Sequence, residues 1–149
     1  LDIWWEVQQC ERGGIFGETN EMVTKKTKQA LKYKITPIVC LDEPYISSQI
    51  ELNSKFQILN SKLIFAYEPL SAIGSGKPGA PENANQVAKR IKELTNKAAI
   101  LYGGSVTPEN ASKFMRQDCI DGLLVGGASL NAKEFIKIIK NAKTQTQTL

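Results

Sequence analysis

Apolar positions in this chain gather into short runs, and longer amphipathic stretches separate them. The runs fall at residues 35–41 (ITPIVCL), 63–67 (LIFAY), 98–102 (AAILY) and 122–125 (GLLV), with a weaker candidate at 3–7 (IWWEV). Each is near-continuous and rich in Ile, Leu or Val, which predicts parallel strands covered on both faces. The stretches between them read as capped helices. Thr19-Asn20-Glu21 leads into Met22, Val23, Thr27, Ala30 and Leu31, and Pro81-Glu82-Asn83 leads into Val87, Ile91 and Leu94. Thr107-Pro108-Glu109 opens a third helix, with proline in the favoured first turn. Residues 131–143 form a fourth, with Phe135, Ile138, Ile139 and Ala142 on one stripe. Residues 44–60 are polar and poorly patterned, and predict a loop with at most a short helix.

Strand starts at 3, 35, 63, 98 and 122 are spaced by 32, 28, 35 and 24 residues. That is the length of one βα unit, repeated about five times. No Pro- or Ser-rich linker interrupts the series, so residues 1–149 read as one α/β domain, with a frayed tail at 144–149 (TQTQTL).

Composition narrows the function classes. With 42% hydrophobic and 23% charged residues, a packed core is expected and disorder is not. The apolar runs are too short to span a bilayer, and no signal-peptide pattern opens the chain at Leu1. The net charge of +4 is spread over helical stretches (Lys25, Lys26, Lys28; Lys89, Arg90, Lys92; Lys137, Lys140, Lys143). Scattered aromatics offer no base-stacking platform, so these are solvated helix faces and no nucleic-acid partner is expected. Cys10, Cys40 and Cys119 fit no zinc spacing, which points to a reducing cytoplasm and no metal, with Cys40 in the core. Histidine is absent altogether, removing the commonest acid/base residue.

The unusual chemistry sits after the strands. The run at 63–67 leads into Glu68 and then Pro69-Leu70-Ser71-Ala72-Ile73-Gly74-Ser75-Gly76-Lys77. The run at 98–102 leads into Gly103-Gly104-Ser105, and that at 122–125 into Gly126-Gly127-Ala128-Ser129. In parallel α/β folds the carboxyl ends of the strands form the ligand face. Three glycine-rich turns there present backbone N–H groups that suit a phosphate. A carboxylate beside a phosphate is repelled unless it has a proton to take. Gly74-Ser75-Gly76-Lys77-Pro78-Gly79 also satisfies G-x-G-x-x-G, but six residues separate it from the strand and Pro78 stands where a helix should be running. As a P-loop it lacks the first glycine, and proline follows the lysine.

At these residues the sequence resembles the triose-phosphate isomerase family. The segments AYEPLSAIGSGK (66–77), YGGSV (102–106) and DGLLVGGASL (121–130) carry the likeness, with ER..IFGETNEMV (11–23) and PIVCLDE (37–43) in the same order. The resemblance implies a TIM (β/α)₈ barrel, here partial at about five of eight βα units. It also implies interconversion of dihydroxyacetone phosphate and D-glyceraldehyde 3-phosphate without a cofactor. Glu68 is then the catalytic base, residues 69–77 the lid, and Gly74, Ser105, Gly126 and Gly127 the positions whose N–H groups hold the phosphate. Gln9 stands at the family's histidine position, and Glu11 beside it belongs to the catalytic set.

The departures carry their own expectations. A glutamine amide donates to an oxyanion but relays no proton near neutral pH. Ser71 replaces the lid's usual tryptophan, Gly13-Gly14 replaces a bulkier basic stretch, and the link from Cys40 to Glu68 is short. The strand bearing the family's active-site lysine and asparagine is not represented, nor is the loop that joins the family's homodimers. Impaired activity, or a non-catalytic phosphate-binding or assembly module, is the expected consequence.

Overall fold

The computed structural model describes residues 4–8, 18–55 and 63–143. Its strands are β1 (Trp4–Gln8), β2 (Thr36–Leu41), β3 (Ile64–Tyr67), β4 (Ala99–Gly103) and β5 (Gly122–Leu124). They form one sheet in the order β1-β2-β3-β4-β5, parallel throughout. Helices α1 (Asn20–Lys32), α2 (Ile46–Lys55), α3 (Pro81–Leu94), α4 (Pro108–Met115) and α5 (Ala132–Lys143) alternate with them, with 3₁₀ turns at Glu43–Tyr45 and Gly127–Leu130. Every strand begins within one residue of its expected start. Each strand lies beside its predecessor, with no reversal of order, as in a segment of a barrel rather than a doubly wound sheet. The fold is a partial TIM barrel.

The pleat divides the sheet into two unlike faces. Val39, Leu41, Phe65, Tyr67, Ile100 and Tyr102 are buried beneath the helices, against Val23, Ile46, Ala88, Ile91 and Phe114. Tyr102 stacks on Phe114 with ring centroids 3.8 Å apart. On the other face the register sets Cys40, Ala66, Leu101 and Gly122 in a row. Cys40 and Ala66 are fully buried there, packed with Ile38, Ile73, Leu101 and Leu124. Cys40 is thus the core residue the sequence suggests. Coverage of both faces does not hold, because Ile38, Ile64, Leu101 and Leu124 are only half-buried.

The helix starts follow their caps. Thr19 Oγ1 accepts from Met22 N at 3.4 Å, and Asn110 Oδ1 accepts from Thr107 N at 2.8 Å. The first-turn carboxyls of Glu21 and Glu109 are held below the usual range by backbone N–H groups, then by the cap threonines. The basic helix residues Lys25, Lys28, Lys89, Arg90, Lys137, Lys140 and Lys143 are exposed.

Two helical expectations need correction. Residues 44–60 contain the helix the sequence allowed only as a short one, and it is a full ten residues long, α2, rather than mostly loop. Its inward positions are Ile46, Gln49, Ile50 and Asn53, a helical stripe in which two of the four are amides. Those amides are accommodated in part by mutual bonding: Gln49 Nε2 donates to Thr24 Oγ1 at 2.9 Å and to Asn53 Oδ1 at 3.1 Å, while Gln49 Oε1 and Asn53 Nδ2 have no partner among the described residues. In α5 only Ile138 of the expected apolar stripe is buried, while Phe135 and Ile139 border an open groove with Met115 and Leu123. The expected frayed tail lies outside the described residues. Among those residues, no helix is long and apolar enough to cross a membrane.

Candidate active site

Parallel strands bring the segments that follow β3, β4 and β5 to one edge of the sheet. Glu68 comes directly after β3, and its N–H donates to Leu41 O at 2.9 Å, extending the ladder by one residue. Pro69 confines Glu68 to extended backbone. The Glu68 carboxylate is buried and lies flat against Gly103. A Cβ added at Gly103 would stand 2.5 Å from Glu68 Oε1 and 2.7 Å from Glu68 Cγ, so only glycine leaves room for this side chain.

The loop at residues 69–77 is tied near its start and just beyond its end. Ala72 N donates to Pro69 O at 2.8 Å, closing a turn, and Ala72 is buried. Ser105 Oγ donates to Ala72 O at 2.7 Å, Leu70 N to Asp42 Oδ2 at 3.3 Å, and Gly79 N to Tyr102 Oη at 2.9 Å. Burial raises the Tyr102 phenol pKa above its usual value, and the Gly79 N–H partly offsets that. Between the ties Gly74, Ser75, Gly76 and Lys77 are exposed. Gly74 and Gly76 take left-handed backbone (φ +63° and +69°) that glycine adopts without strain.

The turn after β4 is held by one side chain. Asn110 Nδ2 donates to Ser105 O at 2.9 Å while its Oδ1 accepts from Thr107 N. After β5, Ser129 Oγ donates to Gly126 O at 2.7 Å. A Cβ at Gly126 or Gly127 would meet nothing within 4 Å, so packing does not demand glycine there and the space stays open.

These segments enclose a cavity of about 610 Å³, lined by Glu68, Gly74, Ser105, Gly126 and Gly127 together. Ile73, Gly76, Gly104 and Thr107 complete much of its wall. Five residues singled out in the sequence therefore converge on one space, and the G-x-G-x-x-G stretch belongs to a loop that ends before α3. Gln9 and Glu11 lie outside the described residues.

Sequence reasoning passed over Glu6, Asp42 and Tyr102. Glu6 lies in β1 and reaches the same cavity; its signal was a charged residue within an otherwise apolar run. The donor atoms of Glu6, Cys40 and Glu68 lie within 4.8 Å of one another, the one such group among the described residues able to ligate a cation. Cys40 Sγ donates to Glu6 Oε1 at 3.8 Å. With Glu134, three carboxylates border the cavity, and among the described residues no Lys or Arg lines it. An anion bound here depends on backbone N–H groups for its stabilisation.

The family model described as Triosephosphate isomerase matches residues 4–142. The triosephosphate isomerase of Mycoplasma mobile is 46% identical over 142 residues, covering 87% of this chain and 59% of that protein. That of Endomicrobium trichonymphae is 41% identical over 160 residues, covering 92% and 63%. That of Mesomycoplasma hyorhinis is 45% identical over 144 residues, covering 89% and 59%. The chain thus spans about three-fifths of the length of the curated relatives it matches. A partial barrel whose strand-end segments carry this likeness, matched over nearly all of its residues, belongs to the triosephosphate isomerase family.

Proposed function

We propose that this chain, as one truncated-barrel domain, carries the proton-transfer and phosphate-holding part of a triose-phosphate isomerase site. The observation that supports this reading is one cavity shared by a buried carboxylate and glycine-rich turns. Glu68 takes a proton from the carbon beside the substrate carbonyl and returns it to the neighbouring carbon of the enediolate. Dihydroxyacetone phosphate and D-glyceraldehyde 3-phosphate are so interconverted, without a cofactor, in the cytoplasm. The N–H groups of Gly74, Ser105, Gly126 and Gly127 hold the phosphate. Residues 69–77 close over the substrate and exclude water, which strengthens each of these interactions. Gln9 donates its amide to the developing oxyanion, and Glu11 supports it.

Two features lower the rate expected of this chain. Gln9 relays no proton, and loss of an acid/base group costs roughly 10²–10⁴ in rate. No cation lines the cavity among the described residues, and loss of one oxyanion donor costs roughly 10²–10³. An isomerase assay on the purified chain tests the reading. Weak turnover abolished by Glu68→Gln is expected; turnover that survives Glu68→Gln refutes the assignment of the base.

The absence of histidine favours a second reading, a non-catalytic phosphate-binding or assembly module. Under it, Glu68→Gln leaves binding of inorganic phosphate unchanged or tighter, with no turnover in either form.

A further inference from the structure

We propose that Asp42 is a positioning residue for the lid, its carboxylate replacing a rung of the sheet ladder at the lid's first free amide. The proposal rests on the isomerase reading of Glu68 and residues 69–77. The β2–β3 ladder runs to the pair Leu41 and Tyr67, and the Glu68 N–H adds one more bond to Leu41 O. The following residue, Pro69, has no N–H to offer. Leu70 therefore supplies the first amide on the lid side of Glu68. In a regular parallel ladder that amide would bond a carbonyl two residues beyond Leu41. The chain has already turned there into the 3₁₀ helix at Glu43–Tyr45.

Asp42 fills the gap from the side. Its Oδ1 accepts from Glu43 N at 2.7 Å, capping the 3₁₀ helix, and its Oδ2 accepts from Leu70 N at 3.3 Å. Its own carbonyl accepts from Tyr45 N at 2.9 Å, fixing the backbone that carries the carboxylate. Capping alone accounts for Oδ1 but not for a second bond to a residue 28 positions away. Asp42 is buried while Leu70 is exposed, so the acceptor is fixed in the fold and the bond reaches out to the lid's surface. Ser71 is exposed and supplies no apolar latch. The polar bond from Asp42 thus holds the start of the lid, two residues beyond Glu68.

Two variants remove this bond from opposite sides. Asp42→Ala deletes the acceptor. Leu70→Pro deletes the donor, at the second position of the turn closed by Ala72 N and Pro69 O, where proline is favoured, and it leaves the Asp42 cap intact. Each is expected to lower isomerase kcat about tenfold with KM nearly unchanged, and the double variant no further, because both remove one bond. In Asp42→Ala the Leu70 amide should exchange with solvent at least tenfold faster while the core amide of Ile100 is unaltered. Unchanged Leu70 exchange, unchanged kcat, or losses that multiply in the double variant would overturn the proposal. If Asp42→Ala does not fold, Leu70→Pro with Asp42 intact decides the matter by its kcat. No turnover in the unsubstituted chain overturns the isomerase reading instead, and the Asp42–Leu70 contact then stands or falls on Leu70 exchange alone.

Discussion

The middle of the sheet and its β5–α5 margin are built to different standards. From β2 to β4 the helix-facing side chains are all buried, and Tyr102, Phe65 and Phe114 are completely so. At β5 all three residues are only half-buried, Leu130 is 91% exposed, and Phe135 and Ile139 border an open groove. The cavity draws on both regions: Glu68, Gly104 and Ser105 come from the packed middle, Gly126 and Gly127 from the open margin. In the proposed isomerase reading Glu68 is the base, and a base must be held to fractions of an ångström because proton transfer depends on distance. A pair of N–H donors reaching a phosphate tolerates more freedom. On that proposal, the tighter packing lies where the chemistry is least forgiving.

Mutations that treat the two regions alike would sharpen or break this contrast. The largest effect is expected from Phe114→Ala, which removes the ring stacked on Tyr102; chemical denaturation should report a loss of about 3–5 kcal/mol. Gly103→Ala comes next, at about 1–3 kcal/mol, since the new methyl collides with Glu68 and something must move. That variant should also lose whatever turnover the chain has, and retained turnover would show that the Glu68 carboxylate can work from another position.

Tyr102→Phe is subtler. The folded-state phenol pKa is raised by burial, so its contribution is present below the unfolded value near 10 and is lost as pH rises through the folded value. Alkaline unfolding of the parent chain should steepen above about pH 10, and the phenylalanine variant should flatten that limb. Smallest of all, Ile139→Ser at the margin should change stability by no more than about 0.5 kcal/mol. A cost close to that of Phe114→Ala would mean the margin is as tightly packed as the middle.

Much of this was legible in the chain, for identifiable reasons. Strands announce themselves when they are buried runs, and all five fell within a residue of expectation. Glu68 and the glycine turns could be read because parallel topology sends every strand end to one edge. Helix α2 was legible only as a short helix within a loop because Gln49 and Asn53 occupy half of its inward stripe, where their bonds with Thr24 and with each other satisfy part of their polar atoms. Asp42 before Glu43-Pro44 carried a readable capping signal, but its bond to Leu70 joins segments far apart in sequence. The α5 stripe misled in the opposite direction: its periodicity was real, yet a stripe cannot say whether anything covers it.

The strictly sequential strand order has a consequence for synthesis. Each strand docks beside the one made just before it, so the sheet can lengthen as the chain leaves the ribosome without any segment being threaded between earlier ones. Glu68 joins the sheet in the third unit, whereas Gly126 and Gly127 arrive only with the fifth. At translation rates of about 5–20 residues per second, Glu68 is in place some seconds before the last glycine turn reaches it. The nascent chain therefore passes through an interval in which the carboxylate side of the cavity is built and its glycine margin is not.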